Sequence, residues 1–287
     1  MRFNNALTRT INSSTSNVIN CIVYNCTANS GGGIYSSTYS TSTANYSKAN
    51  IKNCFVYSCS AYYYGGGIYV SSSDSSSIKN CKVNNCTANS GGGIYTSSSS
   101  RSTTLTSTSD ITLCSVSNCS ASVDGGGIFS SSYSTSTAIY PAISNITNSE
   151  VYNCSAGNGG GIYSTSNANS TNTTASNTTN CIINNCLANN YGGGIYSTAT
   201  FYSASNVTNC TVFNCTANTN GGGIYNYSKT PSTTKFLPIS TLPSASHEIA
   251  VEKFSNSLFN TSALNSTVDK VSGTINACPL MKAQKRQ

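Results

Sequence analysis

Charge is what this sequence has least of: 7% of its 287 residues are Asp, Glu, Lys or Arg, and there is one histidine. Through residue 228 the acids are Asp74, Asp110, Asp124 and Glu150, each in a different part of the chain, and His247 lies far beyond them. Glycoside and polysaccharide chemistry needs carboxylates in pairs, and nucleophilic catalysis needs a nucleophile, a base and a group that orients it. No such set assembles, so the expectation is no catalytic residue. The net charge of +7 is dispersed, with seven Lys/Arg against four acids in residues 1–228 and seven against three thereafter. That balance makes no basic stripe, and no nucleic-acid-binding motif is present, so no nucleic-acid partner is expected.

Long apolar runs are also missing. A membrane-spanning helix needs about 18 or more consecutive apolar residues, and no stretch approaches that, so no span is expected. Met1–Asn17 has Arg2 and Arg9 but no apolar run behind them, which is not a signal peptide. A β-helix of this composition would ordinarily be extracellular or on the cell surface, so the chain reads first as an incomplete product, with unconventional export or a protein that stays inside as the alternatives. No cofactor is implied.

What is present is a repeat. Asn-Cys-x-Val-x-Asn-Cys-Thr-Ala, followed by Gly-Gly-Gly-Ile-Tyr, is first written from Asn20 to Tyr35 and recurs with its glycines starting at Gly65, Gly91, Gly125, Gly159, Gly192 and Gly221. The starts are separated by 34, 26, 34, 34, 33 and 29 residues, so the motif reads as rigid and the connection as variable. Cys21, Cys54, Cys81, Cys114, Ser149, Cys181 and Cys210 each precede by two a β-branched residue (Val23, Val56, Val83, Val116, Val151, Ile183, Val212), the alternation of a strand with both pointing inward. Asn25, Ser58, Asn85, Asn118, Asn153, Asn185 and Asn214 then stand where the inward register shifts, a bend in left-handed backbone. Beyond it, a second Cys column and an Ala column stay small in every copy. Three successive glycines fit a second corner where φ is positive or another backbone passes too close for a Cβ. Ile34 and its equivalents restart a strand, and on the next pleat stand Tyr35, Tyr69, Tyr95, Phe129, Tyr163, Tyr196 and Tyr225.

Two or three short strands per unit, stacked in register, give an all-β parallel β-helix of about seven rungs; at about 4.8 Å per rung it would rise roughly 34 Å. Helix is excluded in the repeats, because no window carries apolar residues at i, i+3, i+4 and i+7. The polar stretches Ser36–Asn53 and Ser130–Asn148, with Tyr-Ser-Thr-Ser-Thr-Ala at Tyr39–Ala44 and again at Tyr133–Ala138, read as a further strand running out into loops. Residues 1–17 read as an N-terminal segment or cap, 18–228 as the solenoid and 229–246 as a Pro/Ser/Thr linker. Residues 247–287 read as a cap or tail, with helical spacing from Ile249 to Leu258 and from Leu264 to Ile275. Whether that tail covers the last rung or joins a further part stays open.

The paired motif resembles the Phe-x-x-Asn and Gly-Gly-Ala-Ile/Leu/Val repeats of the polymorphic outer-membrane proteins of chlamydiae and their relatives in parasitic protists. The apolar residue stands five positions before the Ala-like position in both; here Val replaces Phe, Cys stands where that Asn would, and Gly replaces the Ala of the glycine motif. The resemblance implies a right-handed β-helix exposed at a cell surface and used in adhesion. Its partner would be a surface glycan or protein of a host or neighbouring cell.

The thirteen cysteines in the two columns are spaced Cys-x4-Cys across a bend, which suits neither zinc-ligand spacing nor obligatory pairing, given Ser149 beside Cys154. They read as buried thiols packed as small hydrophobes, with cross-rung disulfides the alternative. No metal is expected. The aromatic column reads first as rings stabilising adjacent strands, and second as a surface for stacking sugars. Ile22, Tyr24, Phe55 and Tyr57 form a possible exposed apolar patch, and sequons stand at Asn25, Asn45, Asn145, Asn172 and Asn206. The leading functional expectation is a non-catalytic adhesin or binding protein. A structural rod or fibre component comes second and a carbohydrate-active enzyme third.

Overall fold

The structure, a computed structural model, describes residues 13–38, 46–100, 106–134, 141–168, 174–229 and 249–250. The fold is a parallel β-helix. Its first rung is β1 (Ser13–Ile19), β2 (Ile22–Tyr24), β3 (Thr27–Ser30) and β4 (Ile34–Thr38), and the same four strands recur in each later unit. Like pairs with like, which gives three seven-stranded parallel sheets and a fourth with eight. Each unit thus has four strands where the repeat suggested two or three. The first strand starts at Ser13, within the stretch expected to stand apart as an N-terminal segment.

The difference in strand count comes from a corner that the repeat displays but does not advertise. The expected bend is there: Asn25, Ser58, Asn85, Asn118, Asn153, Asn185 and Asn214 all have φ of 52–54°. So, however, do the residues just before the first Cys. Asn20, Asn53, Asn80, Leu113, Asn148, Asn180 and Asn209 have φ of 48–58° and divide the first sheet from the second. Asparagine tolerates this conformation, and its side chain also continues the column: Asn53 Nδ2 donates to Asn20 Oδ1 at 3.1 Å and Asn80 Nδ2 to Asn53 Oδ1 at 3.0 Å. Leu113 interrupts that ladder.

The glycine corner uses its three residues differently. The first takes positive φ, 59–66° across the copies. The second and third avoid the next rung: a Cβ on Gly66 would lie 2.3 Å from the Thr87 carbonyl oxygen, and one on Gly67 would lie 2.5 Å from Val83 Cγ1. Both reasons for glycine are therefore at work in one corner.

Inside, the second and third sheets contribute the Cys, Val and Ala columns. Cys54, Val56, Cys59, Val83, Cys86 and Val116 are fully buried. All thirteen described cysteines are free thiols, each lying against a carbonyl two residues back, as Cys54 Sγ does with Lys52 O at 3.3 Å. Cys114 beside it and burial push Cys81 up to about 12, and Cys119 and burial do the same for Cys86. At neutral pH Cys81 and Cys86 are therefore protonated, while hydrogen bonds from neighbouring sulfurs hold Cys114, Cys119, Cys186 and Cys210 below the ordinary thiol range.

The rest of the interior is polar. The first and fourth sheets begin apolar beside their corners, with Ile51, Ile78, Ile111 and Ile146 on one and Ile68, Ile94, Ile128 and Ile162 on the other, and turn to Ser and Thr farther on. The polar stretches are strands with one face buried. Their hydroxyls satisfy one another: Ser130 with Ser144, Ser164 with Ser176, and Ser197 with Ser205 across the core, and Thr96 with Ser130 at 2.9 Å between rungs. Others reach backbone, as Ser166 Oγ does with Ala204 O at 2.7 Å. Ser107, Ser134, Thr174 and Thr178 leave buried hydroxyls without a partner.

Two irregularities break the rigid motif. The run from second Cys to first Gly lengthens by one residue between Cys26–Gly31 and Cys59–Gly65, and the first six units alternate short and long. The third sheet absorbs the extra residue as a register shift between neighbouring strands. Gly157 serves the same end, since a Cβ there would lie 2.5 Å from the Val123 carbonyl oxygen. The other irregularity is the connection from fourth sheet to first, where all large length differences fall. In the one between Ser72 and Ser75, Asp74 is buried and accepts bonds from Ser47 N and Ser47 Oγ, both at 2.7 Å. Tyr39–Ala44 and Thr135–Ala138 lie outside the described residues.

At the far end, Ile249–Ala250 pair in parallel with Ile224–Tyr225, a strand where the spacing suggested the start of a helix. Extended backbone here continues the fourth sheet, and sheet pairing overrides a weak local preference. The rest of the expected linker and tail lies outside the described residues. Among those described, no helix is long and apolar enough to cross a membrane.

Candidate binding groove at the glycine corner

The glycine corner is re-entrant. A Cβ on Gly31 would lie 2.7 Å from Tyr35 Cβ, and one on Gly91 2.8 Å from Tyr95 Cβ, so the chain folds back on its outer side and brings the end of the third sheet against the start of the fourth. Two side-chain columns therefore run side by side along the corner from rung to rung.

One wall is the aromatic column. Tyr35, Tyr69, Tyr95, Phe129, Tyr163, Tyr196 and Tyr225 all join it, with centroid spacings of 4.9, 5.3, 4.6, 5.0, 4.7 and 5.1 Å and interplanar angles of 1–15°. Exposure falls along it from 38% at Tyr35 to 8% at Tyr225. Because the rings lie face to face, the column spends its faces on itself and offers solvent edges and hydroxyls. Burial raises the Tyr95 and Tyr163 hydroxyls and holds Tyr196 at about 12, so all three stay protonated.

The other wall is the residue before each first glycine: Ser30, Tyr64, Ser90, Asp124, Asn158, Tyr191 and Asn220. Sequence reasoning took only Asp124 from this column, because the position has no common chemistry; the fixed distance to the glycine was its one available signal. Here Tyr64 lies 4.8 Å from Tyr95 at 40°, and Tyr191 lies 5.0 Å from Tyr225 at 35°. Being tilted, these two rings present faces that the stack does not use. Between them the wall is polar: Asp124 Oδ1 accepts from Asn158 Nδ2 at 2.9 Å. Burial raises the Asp124 carboxyl, an effect the Asn158 amide partly offsets.

No family model, curated protein or solved structure matches this chain. The site must therefore be read from its own chemistry. The remaining acids do not converge on the groove. Asp74 is spent in its turn, Glu150 projects from the second sheet, and Asp110 accepts from Asn145 Nδ2 at 2.7 Å on the outside of the first. His247 lies outside the described residues. Among those described, no group of three or more His, Cys, Asp or Glu is placed to hold a metal ion.

Two further sequence features have definite places. Ile22, Tyr24, Phe55 and Tyr57 are exposed on the second sheet, with Tyr24 and Tyr57 stacked at 5.1 Å and Lys82 Nζ 5.4 Å from the Phe55 ring centroid. Of the sequons, Asn25 is exposed at its corner. Asn145 and Asn206 use their amides in a ladder through Asn177, with both steps 2.9 Å. Asn45 and Asn172 lie outside the described residues.

Proposed function

We propose that this chain is a non-catalytic binding protein of the cell surface or extracellular space, an adhesin whose contact face is the glycine-corner groove and whose partner is a surface glycan or protein. The observation that carries this reading is the continuous aromatic column, part-exposed over most of its length and lying beside a second column whose chemistry changes from rung to rung. A constant wall with a variable one is a scaffold on which specificity is written. The motif resemblance to polymorphic outer-membrane repeats favours the same role. The four described acids of the repeats stand apart on different faces, which argues against the carbohydrate-active enzyme.

A structural rod is the second reading. It is favoured by the stacked rings themselves, which stabilise neighbouring strands without any ligand. The test is incubation of the purified chain with a panel of polysaccharides and cell-surface glycans, reading retention and released reducing ends together. Retention without release, lost in a folded Tyr95→Ala/Tyr163→Ala variant, is the expected result. Release would overturn the non-catalytic reading, and no retention on any glycan or cell surface would leave the rod.

A further inference from the structure

The polar break in the groove wall has a chemistry of its own. Asp124 and Asn158 occupy adjacent rungs between Tyr64 and Tyr191, and the ring on the Asp124 rung is Phe129, the one member of the column without a hydroxyl. No phenol on that rung is available to satisfy the carboxylate. No described cation contributes to its charge balance either, and the hydrogen bond it accepts comes from Asn158. Asn158 Oδ1 is covered and has no hydrogen-bond partner, while its Nδ2 is held by the bond to Asp124.

The break thus offers a half-buried carboxylate whose described hydrogen-bond donor is one amide, with the phenols of Tyr95 and Tyr163 on the flanking rungs. A hydroxyl brings one proton to such a place, whereas a primary ammonium brings three and no acceptor, together with the charge that a half-desolvated carboxylate lacks. Acidic sugars would meet Asp124 as a like charge. The exposed face of Tyr64, 42% exposed, is an apolar surface of the kind on which the C–H face of a pyranose packs.

We propose that Asp124 and Asn158, beside Phe129 and one rung removed from Tyr64 across Ser90, form a site for a primary ammonium group carried on a sugar ring, as in a de-N-acetylated hexosamine polymer. This rests on the groove being a binding face, and it specifies which ligand that face selects. The experiment titrates the full chain with glucosamine oligomers, N-acetylglucosamine oligomers and galacturonate oligomers, by calorimetry at constant ionic strength. Asp124→Asn keeps the shape of the site, while Glu150→Gln removes the same charge from the second sheet. The expected order is glucosamine over N-acetylglucosamine over galacturonate. Asp124→Asn should weaken glucosamine binding by about tenfold or more, the loss of a charge-assisted bond, and Glu150→Gln should leave it unchanged.

Equal weakening by both variants would mean a diffuse charge effect and would overturn the site. Binding of N-acetylated oligomers that equals that of glucosamine and survives Asp124→Asn would overturn the ammonium assignment while leaving the groove as a glycan-binding face. Failure of all three oligomers to bind, with other glycans retained in the panel above, would do the same. Failure across that panel as well would remove both.

Discussion

The two sides of this solenoid solve the same packing problem by opposite means. Around the second and third sheets the chain is tight. Corners sit at fixed φ, the interior is Cys, Val and Ala, and the glycines lie so close to the next rung that a single added carbon has no room. Towards the connection between fourth and first sheets the interior is hydroxyl, and the length of the connection is free. The difference teaches where such a protein can vary. A close-packed apolar corner admits few residue types at each position, whereas a hydroxyl can rotate to find a partner across the core, between rungs or on the backbone. Sequence variation therefore collects where the core is polar.

The largest effect expected from breaking the tight side is Gly126→Ala. Its Cβ would lie 2.3 Å from the Gly160 carbonyl oxygen and 2.4 Å from that of Ser155, both backbone atoms that cannot swing aside. A loss of more than about 3 kcal/mol is expected, read by chemical denaturation, because backbone must shift in two rungs. A change as small as that in Ser132→Ala, on the loose side, would abolish the distinction drawn here. Ile128→Ala comes next, at about 2–5 kcal/mol, the usual range for truncating a fully buried aliphatic chain.

Smaller effects of opposite sign sharpen the comparison. Thr178 stands in the column Ile51, Ile78, Ile111, Ile146, Val207 with a buried, unpaired hydroxyl, so Thr178→Val should stabilise by about 1 kcal/mol. Leu113→Asn, which relieves left-handed strain and restores an asparagine ladder, should gain about as much. Asp124→Asn gives the smallest change and the one that depends on pH. Burial holds the folded carboxyl above its unfolded value, so ionisation opposes folding increasingly as pH rises through that range. The variant should melt higher than the parent at neutral pH, and the gap should close below about pH 3.5, where the carboxyl is protonated in both states.

Legibility in the sequence followed the same division. The Asn25 and glycine corners were readable because positive φ and close approach admit few residue types. The Asn20 column carried an equally strong signal, but a residue flanking a motif is easily taken as its margin, and Leu113 obscured the rule. The run Ser-Ser-Ser-Tyr-Ser at 130–134 has no alternation in sequence to mark a face, serine is ordinarily a surface residue, and only the partner across the core reveals which face is inside. The ring column was legible by repetition. The opposing wall was not, since Ser, Tyr, Asp and Asn share a place and nothing else.

The alternation of short and long runs before the glycine corner, over the first six units, has a consequence for how the chain finds its fold. Seven nearly identical rungs would let a strand dock one rung too early or too late at little cost. With bulged and unbulged strands taking turns, such a slip sets like beside like and loses the interlock between Gly157 and the Val123 carbonyl. Odd and even rungs are thus told apart, and a slip by a single rung is penalised.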